Sequence, residues 1–254
     1  LVATQDPSAY PDIDEMREKC WVALGQYWEH NFGMGGCCAD DERANWQRGL
    51  ANDVSDYVNQ LYAQSLSSLG SRIQKTGTNL RFFVLNPLNW TRTDMADFDY
   101  SGSANIKVVE VQSGQEIPFQ LVTVNGVNKL RILAENIPSV GYKTYEIQTG
   151  TGTSFPNAVT TTGNIMENDF YRITVTNSGV ITSLQDKLNS NTEYCLPTNS
   201  KYINDLGSGN SNTGTLTLIN NGAVSATFQC SSSNPLQHTT LITLYKGINR
   251  IDLQ

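Results

Sequence analysis

Hydrophobic and polar positions follow two different rhythms along the chain. From Asp12 onward, Ile13, Met16, Cys20, Ala23, Tyr27 and His30 succeed each other at steps of three and four residues, one continuous stripe along a helix. Trp21 and Trp28 flank the stripe. Gly33, Gly35 and Gly36 interrupt it, because glycine readily takes the left-handed conformations that end helices. Asp40 and Asp41 then offer capping oxygens and favourable charge for a second helix. Its apolar positions include Trp46, Leu50, Val54, Val58, Leu61, Leu69 and Ile73, and it is expected to run to about Gln74. Two antiparallel helices of such unequal length read as part of a bundle whose other helices precede Leu1.

After Gly77 the period changes from helix to strand. Asn125-Gly126, Asn177-Ser178-Gly179 and Asn221-Gly222 each separate β-rich runs and read as hairpin turns. Tyr171, Ile173 and Val175 alternate with Arg172, Thr174 and Thr176, so one face is expected to be buried. The Thr-, Gly- and Asn-rich stretch 149–164 reads as a boundary. The expected fold class is α+β. A helical-bundle segment spans 1–78, a small antiparallel β unit 79–150, and 151–254 begins a larger antiparallel β-sandwich. The strand pattern runs to the last residue, which reads as a cut end with an open edge able to pair with a second copy, as a homo-oligomer would.

Charge and composition exclude several classes. Seventeen basic against 24 acidic side chains give −7, and no Lys/Arg cluster suited to nucleic acid stands out. No apolar run approaches the roughly 18 residues of a membrane span. Cysteines 20, 37, 38, 195 and 230 form no Cys-x-x-Cys pair, so free thiols are expected rather than a thiolate zinc site or a disulfide framework. The Asn- and Thr-rich, Lys-poor strands lean towards a secreted or periplasmic bacterial protein.

Four stretches carry a family resemblance. The first is 83–94, containing Asn86-Pro87-Leu88-Asn89-Trp90. The second is 137–145, with Pro138 and Gly141-Tyr142. The third comprises Glu167-Asn168-Asp169-Phe170-Tyr171 with 179–187, and the fourth is 244–252. In this order they resemble the β region of glycoside hydrolase family 38, the α-mannosidases. The large sandwich of that family is mutarotase-like. Upstream, Glu29-His30-Asn31 is similar to the place where the family's bundle carries a zinc-binding His followed by an Asp. The resemblance implies that His30 is a metal ligand and that Asn31 stands where an Asp contacts the sugar; Trp28, two residues from His30, is a candidate to stack on a sugar ring. It also implies zinc in the parent enzyme, an α-mannoside-like carbohydrate substrate, and catalytic groups in an N-terminal domain upstream of Leu1. No catalytic residue is therefore assigned within the chain, which alone is expected to be inactive.

Read without the resemblance, the same residues have plainer roles. His30 continues an apolar stripe and can be a helix-end histidine. His238 lies in a polar run before a strand and reads as a loop or strand-surface residue. Asp40, Asp41 and Glu42 are explained by a helix start, while Asp12, Asp14, Glu15 and Glu18 lie on a solvated helix stretch. Helical spacing favours core packing for Trp21 and Trp28, and Asn89-Trp90-Thr91 satisfies an N-glycosylation sequon. Two functions follow from these readings. One is part of a zinc-dependent retaining glycosidase; the other is a non-catalytic carbohydrate-binding or structural β-sandwich module.

Overall fold

The computed structural model describes Ser8 and residues 13–28, 39–195 and 202–254. It divides into two compact units, Leu1–Gly77 and Thr78–Gln254. The first unit holds helices α1 (Asp14–Tyr27) and α2 (Asp40–Arg72). Cys20 and Ala23 are the buried residues of the α1 stripe, with Ile13 and Met16 half-buried. The stripe ends earlier than its spacing suggests: Trp28 is the C-cap and Tyr27 is exposed. Trp21 and Trp28 are exposed as well, which corrects the core-packing reading of this pair. The start of α2 is also corrected. Ala39 is its N-cap, and its backbone N–H donates to the Glu42 carboxylate at 3.1 Å. Asp40 and Asp41 occupy the first turn, where their charge meets the helix dipole. Lys19 to Asp53, at 2.7 Å, ties the two helices. The glycines at 33, 35 and 36 and the cysteines at 37 and 38 lie outside the described residues.

The second unit is antiparallel throughout. Strands β1 (Leu80–Asn86), β7 (Gly141–Thr149), β3 (Ile106–Glu110) and β4 (Glu116–Ile117) form one sheet in that order. A second sheet runs β2 (Arg92–Asp99), β6 (Val127–Ile137), β5 (Phe119–Val124). Between them lies a core of Phe82, Val108, Leu130, Ile132 and Tyr145, with Phe82 stacked on Phe98 at 4.7 Å. The third sheet is β12 (Thr192–Glu193), β11 (Ile181–Asp186), β10 (Tyr171–Val175), β9 (Ile165–Glu167), β8 (Thr160–Thr162). The fourth is β13 (Thr215–Asn221), β14 (Ser225–Ser232), β15 (His238–Tyr245), β16 (Ile251–Leu253). Met166, Ile173, Ile181, Phe228, Ile242 and Leu244 fill the space between these two. Two helices followed by β-sandwich units is the fold class expected from the sequence. β16 is an edge strand of its sheet. The free cysteines Cys20, Cys195 and Cys230 are buried, and burial pushes the Cys230 thiol up to about 11.

Two buried asparagines explain why the four stretches have their residues. Asn86 Nδ2 donates to the carbonyls of Trp90 (2.6 Å), Pro138 (3.1 Å) and Ile137 (3.2 Å), and its Oδ1 accepts from Leu88 N–H at 3.1 Å. This one side chain locks the β1–β2 turn to the β6–β7 turn, so the first and second stretches meet on it. Asn168 does the same for the third and fourth. Its Oδ1 accepts from the Phe170 and Tyr171 N–H groups at 2.9 and 2.7 Å, and its Nδ2 donates to Tyr245 O at 2.8 Å. Removing either amide strands several buried backbone groups at once, and each such loss costs about 1–3 kcal/mol. We therefore expect Asn86→Ala and Asn168→Ala to lower stability by at least about 2 kcal/mol in denaturant unfolding. Asn89→Ala, on an exposed turn position, should change it by less than about 0.5 kcal/mol.

Candidate functional site

Of the three site residues expected from the sequence, His30 and Asn31 lie outside the described residues. Trp28 is described: it caps α1, is 76% exposed and meets Tyr27 edge-on at 6.3 Å. Among the described residues, no group of three or more His, Cys, Asp or Glu side chains is placed to hold a metal ion. The described histidine His238 begins β15. Its Nδ1 lies 2.7 Å from Leu236 O and its Nε2 2.9 Å from Ser178 O. Two carbonyls around one ring favour the doubly protonated form and raise its pKa, and they leave neither nitrogen free for a metal.

A cluster of charged side chains lies where the second and fourth sheets meet. Leu133 of β6 packs there against Val224, Tyr245 and Ile248. Beside it, Arg131 forms a bidentate pair with Asp97, its cross-strand neighbour, with both contacts at 2.8 Å. Its third nitrogen donates to Ser225 Oγ at 3.2 Å. Arg250 bridges Asp94 (3.1 Å) and Asp252 (2.6 Å), and Asp252 accepts from the Tyr245 hydroxyl at 2.7 Å. Both guanidinium groups lie over the Tyr245 ring, 5.9 and 5.3 Å from its centre. Gln120 of β5 completes the junction. Its Oε1 accepts from the N–H groups of Val224 and Ser225, each at 2.9 Å, and its Nε2 donates to Ser225 Oγ. Gly222 permits this approach, since a Cβ there would stand 2.6 Å from Gln120 Oε1.

Could these carboxylates work as a glycosidase pair? A general acid must keep its proton near neutral pH, so its pKa has to rise. Among the described residues, the three carboxyls displaced from ordinary values all move the other way. Burial pushes Asp94 up, but hydrogen bonds from Arg250, Arg92 and the Met95 N–H outweigh it. Asn79, Gln148 and Arg81 donate to Glu146 and bring it down to about 2. Glu193, also partly desolvated, accepts from Ser183 and from the Leu184 and Cys195 N–H groups and is lowered as well. These groups act as anchors of the fold. Sequence reading missed the junction because its members are scattered from position 94 to 252 without local spacing.

The burial of the two arginines orders their importance. The Arg131 side chain is 7% exposed and that of Arg250 38%. Arg131→Ala should cost about 3 kcal/mol in denaturant unfolding, and Arg250→Ala clearly less. The pH dependence follows from the lowered carboxyls. A carboxyl whose folded pKa lies below its unfolded value stabilises above the unfolded value and loses that contribution as pH falls through the folded one. Thermal stability should therefore fall from about pH 4.5 to about pH 2, the window set by Glu146. Arg250→Met, which removes a donor to Asp94, should make that fall shallower.

Neither a protein-family model nor a curated protein sequence matches the chain. Solved structures do. An alpha-mannosidase from Enterococcus faecalis V583 superimposes with a TM-score of 0.66 at 14% identity, covering 96% of this chain and 37% of that one. A protein in glycosyl hydrolase family 38 from Enterococcus faecalis gives 0.69 at 14% identity, covering 99% and 40%. At this identity the likeness is one of fold. The chain spans about two-fifths of the length of these structures.

Proposed function

We propose that this chain forms the helical and β-sandwich part of a glycoside hydrolase of the α-mannosidase type. The observation that carries the reading is the fold match over nearly the whole chain to two proteins described as an alpha-mannosidase and a family 38 glycosyl hydrolase. The four ordered sequence stretches point to the same scaffold. In this reading the substrate is an α-mannoside-like glycan, cleaved with retention by two carboxylates supplied from a longer parent chain. His30 would ligate a zinc ion that polarises sugar hydroxyls, with Asn31 and Trp28 beside the sugar. The described residues contribute stability and shape: anchored carboxylates, locked turns and an exposed tryptophan at the end of α1.

The test uses the parent protein and this chain side by side. The parent should release the aglycone of an aryl α-mannoside, while the 254-residue chain should not. His30→Ala in the parent should remove zinc from metal analysis and abolish turnover, with an unchanged thermal melt. Stoichiometric zinc and full turnover in that variant would reduce His30 to a helix-end histidine. Turnover by the 254-residue chain alone would mean that the catalytic groups are misassigned.

A further inference from the structure

The β-sandwich formed by the third and fourth sheets carries a groove of about 470 Å³ away from the charged junction, lined by Asn164, Thr176, Thr182, Tyr202, Asn210 and Asn212. The groove is shallow and open: Asn210 and Asn212 are exposed and Tyr202 is half-buried. Among the described residues that line it, none carries a charged side chain. Amides, hydroxyls and one aromatic ring suit a neutral polyhydroxylated ligand, whose hydroxyls need donors and acceptors and whose C–H faces pack on a ring.

The groove is built rather than incidental. Ile203 pairs with Ile181 in an isolated antiparallel bridge, which sets Tyr202 across from Thr182. Asn204 Nδ2 then donates to Gly179 O at 2.9 Å, and Asp205 Oδ1 accepts from the Gly207 and Gly209 N–H groups at 2.8 and 3.0 Å. The loop is stapled further by Ser178 Oγ to Ser211 O (3.1 Å) and by Asn177 N–H to Asn212 Oδ1 (2.8 Å). These bonds leave polar atoms unused in fixed positions. Asn164 donates its Nδ2 to Val175 O at 2.8 Å, so its amide is oriented while Oδ1 accepts nothing from the described residues. Asn212 is oriented through Oδ1, which leaves its Nδ2 to donate. The Asn210 amide and the Tyr202 hydroxyl make no hydrogen bond to the described residues. An oriented acceptor, an oriented donor, an exposed amide without a partner among the described residues and a half-buried ring line one open groove.

We propose that this groove is an auxiliary binding site for a neutral saccharide, separate from any catalytic centre. Its geometry carries the ligand class, and only the choice of mannosides as the first probe rests on the glycosidase reading. The experiment titrates the 254-residue chain with a linear manno-oligosaccharide and, separately, with maltotriose. Side-chain amide shifts are followed by NMR and heats by calorimetry. With either sugar, saturable shifts of the Asn164, Asn210 and Asn212 amides are expected. Tyr202→Ala should weaken binding about tenfold. Asn210→Ala, which removes no hydrogen bond to the described residues, should weaken it with an unchanged melting temperature. No shift with either sugar overturns the proposal. So do shifts confined to the neighbourhood of Trp28, or an affinity that Tyr202→Ala and Asn210→Ala leave intact. The two readings fail separately: maltotriose bound here beside a parent inert on mannosides removes the glycosidase reading alone, and an active parent without shifts here removes the groove alone.

Discussion

The joining of the two sandwiches depends on β6 being covered on both faces. Leu130, Ile132 and Ala134 point into the core shared with the first sheet, while Leu133 points into the core shared with the fourth. A strand buried on both sides has no solvent face for a charged residue, yet Arg131 sits in its centre. The desolvation of a guanidinium is tolerable only when its donors are filled. Asp97 and Ser225 fill them, one from the same sheet and one from the opposing sheet. Arg131 thereby fixes which residues of the fourth sheet face the second. Gln120 repeats the arrangement one strand away, binding the N–H groups of Val224 and Ser225. The apolar contact of Leu133 brings the sheets together; these polar groups set their register.

Local chemistry was the legible part of the chain. Asn125 and Gly126 take left-handed conformations at φ 51° and 78°, as an Asn-Gly hairpin requires, and join β5 to β6. The Asn177-Ser178-Gly179 turn joins β10 to β11 for the same reason, with Gly179 at φ 86°. Alternation marked β10 correctly because one side of that strand is buried and the other less so. The strand β6 was opaque to the same logic. Its run of five buried residues abandons alternation, and an arginine inside it reads as solvent-facing until its partners are known. The stripe through Tyr27 failed for another reason. Helical spacing records which residues would share a face, whereas burial depends on what covers that face, and Tyr27 and Trp28 are exposed.

The candidate site divides in the same way. His30 and Asn31 were singled out through resemblance and Trp28 by its place two residues from His30, and of these the structure describes Trp28. The junction around Arg131 and Arg250, and the groove beside Tyr202, are assembled from residues distant in sequence. No spacing rule reaches across such separations, because hydrogen-bonded networks between sheets leave no period in the chain.

The locking asparagines carry a consequence for what the four recognisable stretches mean. Asn86 and Asn168 each hold turns of one sandwich together, a role that does not depend on the reaction the surrounding protein performs. Selection on folding alone would preserve them. A descendant could lose every catalytic carboxylate, take up a purely adhesive existence, and still carry all four stretches unaltered. Such signatures trace the ancestry of a scaffold, and chemistry has to be sought in residues that the scaffold would not miss.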